Sequence, residues 1–101
     1  MQIGPYTLPN QLVLAPMAGI SDRPYRKLCR SLGAGMAVSE MISANALVWE
    51  NKKTRQRINH DGEPRPVVVQ IAGADPEILA LAAQENVRSG ADLSDINMGC
   101  P

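Results

Sequence analysis

Short runs rich in apolar residues recur along the chain at 12–15, 36–38 and 67–71, and a fourth, mixed segment follows at 93–97. Runs this short, bounded by Pro, Gly or polar pairs, predict strands, and uninterrupted ones predict strands buried on both faces. Pro16 ends the first, because proline cannot donate to a central ladder. The strongest is Val67-Val68-Val69-Gln70-Ile71, three β-branched residues and then a polar one ahead of Ala72-Gly73. Between the strands the apolar period lengthens to that of helices. A helix is predicted over 22–32, with Ser21 as its cap, Pro24 in the first turn and Gly33 as its stop. Tyr25, Leu28, Cys29 and Leu32 form one apolar stripe on it, which makes Cys29 core packing, with Arg23, Arg26, Lys27 and Arg30 on the other sides. Residues 43–57 are helix-permissive, as two short helices broken near Asn51, and carry the only Trp, Trp49. After the loop 61–66, Asp75-Pro76-Glu77 opens a last helix that Gly90 closes, with Ile78, Leu79, Ala82, Ala83 and Val87 on one broad side. Ahead of all this, Gly4, Pro5, Pro9 and Asn10 frame two short apolar pieces that read as a small hairpin, a lid or plug.

After that hairpin the order is β-α-β-α-β-α-β, an α/β class with parallel strands joined by crossover helices. Two closures remain open. One is a doubly wound sheet. The other is a (β/α)8 barrel, which typically needs about 250 residues and which four strands cannot close. The chain of 101 residues reaches Pro101 directly after a strand, so it is expected to be a piece of a longer protein.

Composition narrows the classes further. An apolar share of 45% is that of a folded globular chain, while 3% aromatics and no Phe leave the core to Leu, Ile, Val, Ala and Met. Ten basic and ten acidic residues cancel, removing any whole-chain charge argument for nucleic acid. Lys52, Lys53, Arg55, Arg57 and Arg65 nevertheless form a mildly basic middle against Asp61 and Glu63. The N-terminus lacks a signal-peptide pattern and no run of about 18 apolar residues occurs, which argues against secretion and membrane spanning. Cys29 and Cys100 are too far apart for metal-ligand spacing and too few for a disulfide scaffold, so a cytoplasmic setting is expected. His60 is the only histidine and has no ligand-spaced partner; no metal is implied.

In either parallel architecture ligands gather at the carboxyl ends of the strands. The residues there are Pro16-Met17-Ala18-Gly19, Ser39-Glu40-Met41, Gln70 with Ala72-Gly73, and Asn97-Met98-Gly99-Cys100-Pro101. Gln70 and Asn97 are primary amides on buried strands, so each needs a partner offering donor and acceptor atoms. The edge of a flavin or a pyrimidine is such a partner; neighbouring backbone is the simpler one. Gly19, Gly73 and Gly99 allow close approach to a ring or phosphate, or merely serve turns. Cys100, past a strand and after a glycine, can donate a proton or attack as thiolate, since a free thiol with a pKa of about 8.5 is mostly protonated at neutral pH. No dinucleotide or P-loop fingerprint is present: Gly33-Ala34-Gly35 precedes a strand, the reverse of the context required.

The ordered set Ala15-Pro16-Met17-Ala18-Gly19-Ile20-Ser21-Asp22-Arg23-Pro24, Val38-Ser39-Glu40-Met41, Val69-Gln70-Ile71-Ala72-Gly73 and Asp95-Ile96-Asn97-Met98-Gly99-Cys100-Pro101 resembles the bacterial tRNA-dihydrouridine synthases, most closely the B-type branch. The resemblance covers essentially the whole chain. It implies the N-terminal half of a TIM (β/α)8 barrel, residues 1–101 being the first part of an FMN-binding catalytic domain, with the rest of the barrel and a helical tRNA-binding domain to follow. It further implies FMN held by Pro16, Met17, Ala18 and Gln70, and NADPH or NADH as reductant. Uridine in tRNA is the implied substrate, with Asn97 orienting the uracil and Cys100 protonating C5. The full-length form is expected to be a monomer without metal or membrane partner. Two other readings share these residues: an inactive half-barrel without ligand, and another FMN-dependent barrel acting on a free pyrimidine. Ser94 departs from the family's apolar pattern, and a buried hydroxyl there would need a partner.

Overall fold

The computed structural model describes residues 1–48 and 58–99. Trp49, Asn51 and four of the five residues of the basic middle, Lys52, Lys53, Arg55 and Arg57, lie outside the described residues, as do Cys100 and Pro101. The elements in order are β1 (Gln2–Ile3), β2 (Tyr6–Thr7), β3 (Val13–Leu14), α1 (Arg23–Ser31), β4 (Met36–Ala37), β5 (Ile42–Ser43), α2 (Ala44–Val48), β6 (Val68–Ala72), α3 (Pro76–Arg88) and β7 (Leu93–Ile96).

The hairpin forms, with β1 and β2 paired antiparallel. Every other pairing among the described residues is parallel: β3 with β4, β5 with β6, and β6 with β7. A single bridge, Val38 to Val68, joins β4 to β6, so the strands lie side by side in sequence order with no reversal. From Val38 to Ile42 the chain advances four residues while its partner advances three, from Val68 to Ile71. The extra residue makes a bulge, and β5 is the resumed strand, which the hydrophobic pattern does not reveal. The Ser39 hydroxyl covers the gap by accepting the Gln70 N–H at 3.1 Å, while Ser39 N–H donates to Val68 O at 3.0 Å.

Alternation along β6 sorts its side chains to two faces. Val67, Val69 and Ile71 face α2 and α3 and pack with Ile42, Ala44, Leu47, Ala82 and Ala91. The Val, Leu and Ile side chains among them contribute about 1.5–3 kcal/mol each when fully buried. Val68 faces the other way and packs with Met36, Val38 and Leu8 of the hairpin strap, with Ile3 and Leu93 alongside. The hairpin therefore plugs the amino ends of the strands. Tyr6 OH donates to Asp92 at 3.2 Å, Val67 N–H donates to Asp92 at 2.8 Å, and Arg65 pairs with the same carboxylate.

Several sequence expectations change here. Asp22, not Ser21, caps α1, its carboxylate accepting the Tyr25 N–H at 3.0 Å. The Tyr25, Leu28 and Leu32 stripe of α1 is exposed and Cys29 only half-buried, whereas Arg26 is buried, with 3% of its surface exposed. Arg26 is buried because it pairs with Glu63, far along the chain, and donates to Ser21 O at 2.8 Å, although its Nη2 has no hydrogen-bond partner among the described residues. The first strand is not buried on both faces; Leu12 is 66% exposed at the open edge of the sheet. On α3, Val87 is 67% exposed and Asn86 takes the inward place. Ser94 is exposed, so its hydroxyl needs no partner. In register it stands beside Val69, on the face that α2 and α3 cover over β6 but leave open over β7. Of the region 43–57, α2 is the described helix.

Candidate functional site

The carboxyl ends of the strands converge through side-chain contacts. After β3, residues 17–21 close into a turn: Ile20 and Ser21 N–H both donate to Met17 O, at 3.0 and 2.9 Å. The fully buried Ser21 locks it, its hydroxyl accepting Met17 N–H at 2.7 Å and donating to Met17 O at 3.1 Å. This is why Ser21 is not the cap: its oxygen is already engaged. At the crest Gly19 has φ +76°, a conformation that favours glycine, and its N–H points at the Glu40 carboxylate 2.8 Å away. Glu40 and Met41 reach the rim because the bulge at 39–41 lifts them out of the ladder.

Gln70 and Asn97 lie on the same face of neighbouring strands. Gln70 is 7% exposed. Its Nε2 donates to Asp95 Oδ2 at 2.6 Å and its Oε1 accepts from Asn97 Nδ2 at 3.3 Å. Asn97 Nδ2 also lies 3.4 Å from Met41 Sδ, and Asn97 Oδ1 accepts Gly99 N–H at 2.9 Å. The buried Gln70 amide is thus met by side chains of the neighbouring strand segment, and the half-buried Asn97 amide by Gln70, Met41 and the Gly99 backbone. Asp95, which stands opposite Gln70 in the β6–β7 register, is the functional candidate that sequence reasoning passed over. Its signal was its spacing: two residues before Asn97 on a strand, it shares Asn97's face.

The remaining candidates sort as follows. Pro16 and Met17 are half-buried and Ala18 exposed, all on the turn braced by Ser21 and Glu40. Gly73 serves packing, since a Cβ there would stand 3.2 Å from Ala44 Cβ. Gly99 sits on the rim, held by Asn97, while Cys100, which follows it, lies outside the described residues. Among the described residues no group of three or more His, Cys, Asp or Glu side chains is arranged to hold a metal, and no helix is long and apolar enough to cross a membrane.

A second polar cluster lies under α1, away from these amides. His60 Nδ1 meets Glu63 at 3.0 Å and Arg26 pairs with the same carboxylate, while Arg30 donates to the carbonyls of Pro64 and Arg65 at 3.3 and 3.2 Å. Burial alone would raise the Glu63 pKa, but the hydrogen bonds from His60 and Arg26 and the charges behind them outweigh it and hold the carboxyl below the usual range. Burial lowers the Arg30 pKa against the opposing pull of Glu63.

Residues 13–101 match the protein family described as dihydrouridine synthase (Dus). The whole chain aligns with proteins named tRNA-dihydrouridine synthase B: 62% identity to that of Pseudomonas aeruginosa, covering 30% of its length. The counterparts of Shewanella oneidensis and Vibrio parahaemolyticus are 60% and 57% identical, each covered over 31% of its length. The chain therefore spans about a third of the relatives it matches.

Proposed function

Because the chain belongs to the dihydrouridine synthase family, we propose that it supplies the first four strands of a (β/α)8 barrel whose carboxyl rim reduces the C5–C6 double bond of uridine in tRNA, in the cytoplasm. Strands lying in sequence order with no reversal support a barrel over a doubly wound sheet, in which the order reverses at a switch point. The observation that carries the reading is the Asp95–Gln70–Asn97 side-chain network, which touches Met41, the neighbour of the Glu40 that braces the turn following β3.

The residues present fit FMN. Each end of the Gln70 amide keeps bonding capacity, one N–H and one lone pair, for the polar edge of a flat ring. Ala18 and Gly19 bring little side-chain bulk to the neighbouring turn, leaving room for a ring to lie close. Pro16, Met17, Ala18 and Gln70 are the residues that would hold the group. When bound and reduced by NADPH or NADH, it supplies the hydride that goes to C6 of the uracil.

The chain's own part is positioning and proton delivery. Asn97, held on the rim beside Gln70, orients the uracil. Cys100, following Gly99, delivers its thiol proton to C5. Because the target atom is hidden in stacked RNA, the nucleotide must be drawn out to meet the rim. The experiment is Cys100→Ala in the intact protein. Uridine reduction in tRNA should be abolished while flavin stays bound, seen as visible absorption of the purified protein; retained turnover removes Cys100 from the acid role. An assay of tRNA against free uridine separates this reading from a free-pyrimidine reductase.

A further inference from the structure

The amide chain on the rim has two ends of fixed polarity. At one end Asp95, as a carboxylate, can only accept; at the other the Gly99 N–H can only donate. Between them stand two amides, Gln70 and Asn97, each of which could in isolation be turned end for end. Turning Gln70 would set its oxygen against the Asp95 carboxylate at 2.6 Å, and turning Asn97 would set its NH2 against the Gly99 N–H at 2.9 Å. Turning both leaves a clash at each end. Only one arrangement satisfies all four groups: NH2 of Gln70 toward Asp95, carbonyl of Gln70 toward NH2 of Asn97, carbonyl of Asn97 toward Gly99.

We infer that Asp95 is a positioning residue that fixes the amide polarity of Gln70, and through it of Asn97, and thereby determines which donor and acceptor the rim presents to the flavin edge and to the base. This rests on the flavin reading above. The register supports it independently of side-chain placement, because Gln70 and Asp95 are direct Cα partners across a parallel pair and so emerge from the sheet side by side. A neutral hydrogen-bonding residue at 95 could hold Gln70 in either orientation. The carboxylate cannot, and its charge-assisted bond is the strongest available for the purpose.

The test is a double-mutant cycle on the intact flavoprotein, read as the FMN dissociation constant by fluorescence titration and as the visible spectrum of the bound flavin. Asp95→Ala is expected to weaken FMN binding about tenfold and to shift the spectrum. In a Gln70→Ala background the same substitution is expected to change neither, because Asp95 acts through Gln70. Asp95→Asn keeps an acceptor but frees the polarity, so its loss should be intermediate; it carries the same comparison if the alanine variant does not fold. A residue that merely supported the strand would give losses that multiply in the double variant. That outcome, or wild-type affinity and spectrum in Asp95→Ala, overturns the assignment alone. A wild-type protein that takes up no FMN overturns the flavin reading, and this assignment with it.

Discussion

Gly19, at the crest of the turn after β3, donates its backbone N–H to the carboxylate of Glu40, which the β4–β5 bulge lifts onto the same rim. The first two strand ends are thereby tied by a charge-assisted bond across 21 residues of sequence. Removing it with Glu40→Ala leaves the Gly19 N–H unpaired and the turn free to open. A loss of about 1–1.5 kcal/mol, five- to tenfold in FMN affinity, is expected. Fluorescence titration of the intact protein measures it, and Glu40→Gln, which keeps an acceptor, should lose less.

Ser21 makes both of its hydrogen bonds to Met17 while fully buried. Ser21→Ala strands the Met17 N–H and should destabilise by about 1–3 kcal/mol. Asp22→Ala, which deletes the α1 cap, should cost about 1 kcal/mol. Urea denaturation distinguishes them, and equal effects of zero would show that neither the turn nor the cap bears on stability.

Acid stability should depend on Glu63. Its carboxyl titrates below the ordinary range in the fold, so its contribution is fully present above the ordinary carboxylate pKa and is lost as pH falls through the depressed folded value. Glu63→Gln should lower stability at neutral pH and flatten the decline in the acid. Parallel acid limbs for the wild type and this variant, in chemical denaturation across pH, would remove the Arg26–Glu63–His60 cluster from the account.

Asn86, 1% exposed on α3, has no hydrogen-bond partner for Nδ2 or Oδ1 among the described residues. A buried amide in that state is a net cost, so Asn86→Leu, which keeps the branched shape and heavy-atom count, should stabilise by about 1 kcal/mol in thermal or urea unfolding. A drop in stability would mean that the amide is satisfied in solution.

What the sequence made legible was local. Asp75 accepts the Glu77 N–H at 2.9 Å as cap of α3, and Gly33 and Gly90 follow the two longer helices with positive φ. Strand segments and their parallel order followed from alternation. The errors came from partners far along the chain. Arg26 sits inside because Glu63, 37 residues away, neutralises it, and the stripe built on Tyr25, Leu28 and Leu32 faces outward. Ser94 needed no partner because nothing among the described residues covers its side of β7. Spacing put Asp95 on the face of Asn97, but its use depends on lying beside Gln70, 25 positions earlier, which only the register reveals. Pro16, Met17, Ala18, Gln70 and Asn97 stood out together in the sequence because each lies on or just past a predicted strand.

The most direct measurement is a crystal structure of the intact protein with FMN bound. The account predicts the ring edge within hydrogen-bond distance of the Gln70 amide, on the rim shared with Gly19 and Asn97. A flavin lodged instead at the hairpin-plugged end, beside Tyr6 and Asp92, would contradict it.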